Sequence, residues 1–325
     1  MLGAGSWGTA LAIQFARAGH PAVLWGHDPA AIATMASARR NVRYLPDAAF
    51  PPLLELTPDL TTAVTGADDV LVAVPSHALR GLLSALARLP LRRLAWATKG
   101  FEADTGLLPH QIAGQMLPAS VPTAVLSGPT FAREVGAGLP TAMTIASADL
   151  DFAQRLAETI STDTFRAYTS TDIAGVEVGG ATKNVYAIGA GICDGLGFGA
   201  NTRIALIARS LAEMTRLGLA LGGRRDTFMG LAGMGDLVLT CTDDQSRNRR
   251  FGLALARGVP VDEALRSIGQ VVEGYNAASA VLAVARRRAV PMPIAEQLAN
   301  VLHGKADPRT AVAALMRRPI GAELI

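Results

Sequence analysis

Gly3-Ala4-Gly5-Ser6-Trp7-Gly8 is the stretch whose reading decides the fold. Its glycines follow the pattern GxGxxG. A helical pattern comes next (Leu11, Ile13, Phe15, Ala16), stopped by Gly19 and followed by a short strand pattern, Ala22-Val23-Leu24-Trp25. Glycines at these places allow a tight turn and let the backbone approach a pyrophosphate, which rests on the N–H groups of a helix N-terminus. Alone the six residues say little. With helix, glycine stop and strand at the spacing of a βα unit, they predict a dinucleotide-binding sheet. A site specific for NAD places a carboxylate at the tip of the second strand to hold the ribose diol. Here that tip reads Gly26-His27-Asp28, with no carboxylate at the strand end and with His27 able to face a 2′-phosphate. The expected cofactor is NADPH or NADH, with NADPH accepted.

Working outward, residues 29–67 read as helix and loop, with prolines at 46, 51, 52 and 58. Asp68 to Ser76 reads as a buried strand running into a turn, and His77 after it as a polar residue at a helix start. Leu94–Thr98 is another strand, with Lys99 just past its carboxyl end, where doubly wound sheets bind ligands. Thr123–Leu126 is a strand running into Ser127-Gly128-Pro129-Thr130-Phe131-Ala132, a turn into a helix N-terminus and so another anion site. Pro140–Ala146 and Thr164–Tyr168 read as strands around a helix over 151–160. The alternation of strand and helix stops near Asp172, and helical patterns follow, strongest over Ile204–Leu221. The expected fold class is α/β: a Rossmann-type doubly wound sheet over 1–172, then an all-helical domain over 173–325.

One lysine in the helical half stands out. The chain has 27 arginines but only three lysines, Lys99, Lys183 and Lys305. Lys183 lies in Gly179-Gly180-Ala181-Thr182-Lys183-Asn184-Val185-Tyr186, among small apolar residues. An ammonium can release its proton at reachable pH and a guanidinium cannot. Desolvation among apolar neighbours lowers a lysine pKa toward a useful range. Acid/base chemistry at Lys183 is therefore weighed ahead of a snorkelling surface lysine. Lys305 reads as a surface residue.

Composition narrows the class. Half the residues are hydrophobic, enough for a large core in two domains. The apolar stretch around Asn184 is glycine-rich and broken by Lys183 and Asp194, so no membrane span is expected. Two cysteines, Cys193 and Cys241, are too few for a disulfide framework or a metal cluster, and no metal is expected. The net charge is +3 and aromatics make up 5%, which leaves few platforms for stacking bases. The expected ligand is a small anion, not nucleic acid, in a cytoplasmic protein. Ser246, in Gln245-Ser246-Arg247-Asn248, reads as a helix cap presenting free N–H groups beside a cation.

Together GAGSWGTALA, VPSH, WATKG, SGPTFA, GGATKNVYAIGAG, DGLGFGANT, GMGDLVLTCT, QSRNRRFG and QVVEG, in this order, resemble the bacterial NAD(P)-dependent glycerol-3-phosphate dehydrogenases over almost the whole chain. The resemblance implies reduction of dihydroxyacetone phosphate to sn-glycerol 3-phosphate for phospholipid synthesis. It also implies a Rossmann domain followed by a helical domain. It makes Lys183 the catalytic acid/base and Asp236 the aspartate beside it. Lys99 would touch cofactor and substrate, and Gly128 and Thr130 the substrate. Ser246, Arg247 and Asn248 would bind the phosphate, Arg247 lying near the cofactor as well. Gly3, Gly5, Ser6, Trp7, Gly8, His27, Ala132, Val271 and Glu273 match cofactor contacts. A homodimer is compatible with it, the oligomeric state being left open.

Two other readings stay open at this stage. One is a dehydrogenase of the same two-domain type acting on a hydroxy acid; the other is a cofactor-binding protein without catalysis. The start of the chain carries a further expectation. Only Met1 and Leu2 precede Gly3, whereas a first Rossmann strand supplies several apolar residues at the centre of its sheet. The natural chain is therefore expected to carry a few more apolar residues upstream, with Met1 an internal valine codon read as a start.

Overall fold

The computed structural model describes residues 1–319. The chain divides into two compact units: residues 1–99 with 109–176, and residues 100–108 with the chain from Glu177 onward.

The first unit runs α1 (Ser6–Arg17), β1 (Ala22–Trp25), α2 (Pro29–Ala38), β2 (Arg40–Asn41), β3 (Leu45–Ala49), β4 (Leu54–Thr57), α3 (Leu60–Val64), β5 (Val70–Val72), α4 (Ser76–Leu86), β6 (Leu94–Trp96), α5 (Pro109–Met116), β7 (Thr123–Ser127), α6 (Ala132–Ala137), β8 (Thr141–Ser147), α7 (Leu150–Ile160) and β9 (Phe165–Ser170). The strands β5-β6-β7-β8-β9 are hydrogen-bonded in that order, and β1 pairs with β4 in parallel. Leu2 joins the two groups, bridging Trp25 on one side and Val72 on the other, both in parallel. Its N–H donates to the Leu71 carbonyl, its carbonyl accepts from Ala73, and its side chain is fully buried. One residue thus stands where the central strand of the sheet belongs. The apolar runs 70–72 and 94–96 are buried at every residue, as strands covered on both faces must be. Helix α7 shows how the covering helices form. Asp149 caps it by accepting the Phe152 N–H, and Phe152, Ala153, Leu156, Ala157 and Ile160 form one buried stripe.

Two features depart from the sequence reading. Residues 40–57, expected as helix and loop, carry three short strands. The antiparallel pair β2–β3 shifts register at Arg40/Asn41, and β4 is parallel to β1. β2 and β3 leave no period-2 pattern to read, while β4, Leu54-Glu55-Leu56-Thr57, does alternate, but over only four residues. In addition, β8 runs antiparallel to β7 within the otherwise parallel sheet. Between them lies only the six-residue helix α6, too short to carry the chain back along the sheet for a parallel return.

The second unit is helical: α8 (Ile173–Gly195), whose first turn belongs to the first unit, α9 (Gly199–Ala220), α10 (Arg225–Met229), a π turn (Leu231–Gly235), α11 (Asp236–Thr242), α12 (Arg247–Ala256), α13 (Val261–Ile268), α14 (Glu273–Arg287), α15 (Pro293–Leu302) and α16 (Pro308–Met316). No helix among the described residues is long and apolar enough to cross a membrane. Helix α8 packs its neighbours backbone to backbone. A Cβ added at Gly179 would lie 2.3 Å from the Ala232 carbonyl oxygen, and one at Gly191 would lie 2.0 Å from that of Arg249. From the other side, a Cβ at Gly252 would lie 2.0 Å from the Ile188 carbonyl oxygen.

Glu213 on α9 is 1% exposed and caps a different helix: its carboxylate accepts the N–H groups of Ile294 (2.7 Å) and Ala295 (3.2 Å) at the start of α15. The Tyr186 hydroxyl of α8 donates to it at 3.3 Å, and Arg216 is the nearby cation. Burial outweighs these partners and pushes the carboxyl from 4.5 up to about 7. A raised folded pKa means that the folded state holds the proton more tightly. The associated stability is complete below pH 4.5 and is lost as pH rises through about 7. Relative to Glu213→Gln, the wild type should lose up to about 1.4 kcal/mol of folding free energy per pH unit across that window. Urea unfolding at stepped pH reads it, and parallel profiles for the two proteins would contradict it.

Candidate active site

In the first unit the three glycines of the opening turn serve different ends. Gly3 has φ +118°, and a Cβ there would lie 2.6 Å from the Ala73 carbonyl oxygen. A Cβ at Gly8 would lie 1.9 Å from the Gly3 carbonyl oxygen, so glycine is what lets α1 start against the turn. Gly5 is different, since nothing lies within 4 Å of its Cβ position. Gly5 is also the N-cap of α1, and no side chain caps that end. The first-turn N–H groups from Ser6 onward have no side-chain cap, and the helix dipole favours an anion there. The indole Nε1 of Trp7 is buried without a hydrogen-bond partner, a donor waiting for an acceptor. These residues fit the pyrophosphate and ribose of a dinucleotide.

At the end of β1, Gly26 is buried against Ile32, whose Cδ1 would lie 2.9 Å from an added Cβ, and against Ala4 Cβ at 3.0 Å. No carboxylate fits there without displacing both. Asp28 is occupied as the N-cap of α2, accepting from Ala30 and Ala31. His27 is exposed at the strand tip.

Lys99 is half-buried just past β6, where the Thr98 hydroxyl anchors the segment to the Val74 carbonyl at 2.7 Å. Gly128, past β7, has φ +153°, and its Cβ position lies 2.9 Å from Met143 Cα, so only glycine fits the turn. The Thr130 hydroxyl folds back to the Gly128 carbonyl at 3.3 Å, and Ala132 opens α6.

In the second unit Lys183 is 7% exposed and Asp236 is fully buried. The Lys183 Nζ donates to Asp236 Oδ1 at 2.5 Å and to Thr240 Oγ1 at 3.2 Å. Thr240 spends its own proton on the Asp236 carbonyl at 2.6 Å, so its lone pairs are what face the ammonium. The local sequence explains this meeting of residues 53 positions apart. Gly179, one turn before Lys183, lets the π turn touch α8, and that turn ends on Asp236 as α11 begins. Breaking such a buried pair from one side typically costs about 3–5 kcal/mol, because the remaining charge is stranded.

Next to the lysine, Asn184 ties three segments together. Its Nδ2 donates to Glu273 Oε2 at 2.8 Å, and its Oδ1 accepts from Asn248 Nδ2 at 3.0 Å. Asn248 Oδ1 in turn accepts the Gly274 N–H at 2.8 Å. Ser246 caps α12 by accepting the Arg249 N–H at 3.2 Å, and Arg247 in the first turn reaches Gln270 Oε1 at 3.3 Å. Val271 is exposed just before Val272, the N-cap of α14. Lys183, Asp236 and Thr240 thus form one hydrogen-bonded group, and the next residue along, Asn184, joins Asn248 and Glu273 in a second, with Ser246 and Arg247 on the same turn as Asn248. Thr240 and Asn184 are the members that sequence reasoning passed over. Thr240 stands one helical turn after Asp236, and Asn184 directly follows the lysine.

The two cysteines lie outside this chemistry. Burial pushes the Cys193 thiol up to about 11 and Cys241 up to about 12, so both stay protonated at neutral pH.

Residues 1–153 match the family described as NAD-dependent glycerol-3-phosphate dehydrogenase N-terminus, and residues 172–313 match the C-terminus of the same family. The glycerol-3-phosphate dehydrogenase [NAD(P)+] of Edwardsiella ictaluri (strain 93-146) is 55% identical over 322 residues, covering 98% of this chain and 95% of its own. Its counterpart from Yersinia pestis (strain Pestoides F) is 54% identical over the same span. The crystal structure of glycerol-3-phosphate dehydrogenase from Coxiella burnetii superposes with a TM-score of 0.94 at 45% identity, covering 98% of each chain.

Proposed function

The chain belongs to the NAD-dependent glycerol-3-phosphate dehydrogenase family, and from that premise we propose that Lys183 is its proton donor and acceptor and that the start of α12 holds the substrate phosphate. The reaction is the NAD(P)H-dependent reduction of dihydroxyacetone phosphate to sn-glycerol 3-phosphate, and its reverse. The observation that carries the residue assignment is the buried contact of Lys183 with Asp236 and Thr240.

Bound nicotinamide supplies the hydride. The glycine turn and the N-terminus of α1 hold the dinucleotide through backbone N–H groups. Hydride arriving at a ketone carbon leaves negative charge on the oxygen. An ammonium fixed by a carboxylate and a hydroxyl stabilises that charge without reorganising and donates the proton. In the reverse direction the neutral amine takes the proton from the alcohol. Asp236 and Thr240 keep the lysine amine in place. Ser246, Arg247 and the uncapped N–H groups of α12 offer charge and donors to a phosphate dianion. Lys99, Gly128 and Thr130 complete the substrate contacts in this reading. Its product feeds glycerophospholipid synthesis. The reading places the enzyme in the cytoplasm without a nucleic-acid partner, and it is compatible with a homodimer.

A steady-state assay tests substrate and cofactor together. Dihydroxyacetone phosphate should turn over with NADPH at least as well as with NADH, and a panel of 2-keto acids should give nothing comparable. His27→Asp, at the open strand tip, should shift preference toward NADH by roughly ten-fold or more, a carboxylate being repelled by the 2′-phosphate. Turnover of a keto acid in place of the triose phosphate would point to a carboxylate-binding dehydrogenase. A wild type indifferent to NADPH would refute the reading of the strand tip.

A further inference from the structure

Asn41 lies outside every motif that marks the cofactor site, yet it is 1% exposed and bonded directly to the glycine turn. It belongs to β2, where the register with β3 shifts between Arg40 and Asn41, an irregularity of the kind that re-aims a side chain. Its Nδ2 donates to the Ala4 carbonyl at 3.0 Å and to Thr9 Oγ1 at 2.8 Å, and its Oδ1 accepts the Tyr44 N–H at 3.1 Å. The amide orientation is settled by its partners, since a backbone carbonyl can only accept and a backbone N–H can only donate. Both side-chain N–H groups are thus spent inside the protein, one of them on the residue between the first two glycines of the turn.

We propose that Asn41 is a positioning residue of the cofactor site, holding the Ala4 carbonyl inward and so aiming the Gly5 N–H at the dinucleotide pyrophosphate. The step from carbonyl to N–H is geometric. Every described peptide bond is trans, and in a trans peptide unit the carbonyl and the following N–H point opposite ways. With the Ala4 carbonyl turned toward Asn41, the Gly5 N–H points away from it. Nothing lies within 4 Å of the Gly5 Cβ position, and α1 begins there without a side-chain cap. Glycine at 5 is free to rotate, so the direction of its N–H needs an outside restraint, and the buried amide supplies it. The bond to Thr9 ties the same amide to the first turn of α1, which carries the other N–H donors. Aspartate would not serve in its charged form, because a carboxylate oxygen would face the Ala4 carbonyl.

This inference rests on the glycine turn binding a dinucleotide, so the test is built to separate the two. Dissociation constants for NADPH and for ADP-ribose, which carries the pyrophosphate but no nicotinamide, are measured by fluorescence or calorimetric titration on the full chain. Wild type, Asn41→Ala, Asn41→Asp and Thr9→Val are compared, with thermal unfolding as a check on folding. Both constants should rise about ten-fold in Asn41→Ala, the loss of one well-aimed donor. Turnover at saturating cofactor and the KM for dihydroxyacetone phosphate should stay within roughly two-fold. Thr9→Val leaves the Ala4 bond in place and should bind ADP-ribose as the wild type does. Asn41→Asp carries its own signature: a neutral carboxyl can donate to Ala4 and a charged one cannot. Its ADP-ribose affinity should therefore fall as pH rises, relative to wild type, and this variant decides the matter if the alanine variant does not fold. Wild-type affinity in both Asn41 variants would overturn the proposal. So would a loss of active fraction at unchanged affinity, or an equal loss in Thr9→Val, since either is what a merely structural role predicts. A wild type that does not bind ADP-ribose would remove the cofactor reading itself.

Discussion

Replacing Lys183 by methionine is expected to remove nearly all turnover while the affinity for NADPH stays close to that of the wild type. General acid–base help is worth about 10²–10⁴-fold, and loss of the charge beside the developing alkoxide adds to it. Methionine also strands the fully buried Asp236, so unfolding should be measured alongside the rate. The sharper variant is Lys183→Arg. It keeps a cation against Asp236 and therefore most of the stability, but a guanidinium does not give up its proton at working pH. Single-turnover reduction of dihydroxyacetone phosphate by saturating NADPH isolates the chemical step. Both variants should fail it. An arginine variant reducing the ketone at near wild-type rate would leave only an electrostatic role for position 183.

Removing the guanidinium at Arg247 should act on the substrate instead of the chemistry. Arg247 sits in the first turn of α12, beside the capping Ser246, and reaches Gln270 Oε1 at 3.3 Å. An arginine on a helix start combines full charge with aligned N–H groups, the arrangement a phosphate dianion needs. Loss of one charge-assisted contact costs roughly 1.5–3 kcal/mol, about ten- to 150-fold in affinity. Arg247→Ala should raise the KM for dihydroxyacetone phosphate by that factor. Added inorganic phosphate should inhibit the wild type competitively and the variant much less. Substrate kinetics unchanged in the variant would move the phosphate to the turn after Gly128.

The glycine turn was legible from its spacing: Gly8 meets the Gly3 carbonyl within the same turn, whereas the backbone that Gly3 itself meets, at Ala73 past β5, shows only in the fold. The lysine was legible because arginine is used almost everywhere else. Its partner was harder to find. Asp236 lies 53 residues away, and only the packing of a π turn on Gly179 brings it to Lys183, an i→i−5 hydrogen bond that no hydrophobic period announces. Residue reading alone made Asp236 one acidic residue after a glycine run, and the resemblance to known dehydrogenases supplied its place. Strands β2 to β4 escaped for a different reason. They are two to five residues long, β2 and β3 carry no alternation, and that of β4 spans only four residues, so their pairing shows in their neighbours more than in their own pattern. Asn41 escaped with them, since a buried amide in a polar surface stretch looks like any other loop asparagine. The antiparallel turn at β8 was hidden because strand direction is a property of the connection, and the connecting segment reads as a helix either way.

The glycines where α8 meets its neighbours have a genetic consequence. Every missense change that a single nucleotide can make in a glycine codon adds at least a Cβ. At Gly179, Gly191 and Gly252 that first carbon already falls within 2.3 Å of a carbonyl oxygen on the facing segment. No rotamer change relieves a clash with backbone, so the helices must separate, and the lysine travels with its helix. These codons therefore have no gentle neighbours in sequence space. A mutational library over the second unit should return them unchanged, while exposed positions elsewhere in the unit drift, and a thermostabilised version of this enzyme would have to be built around them.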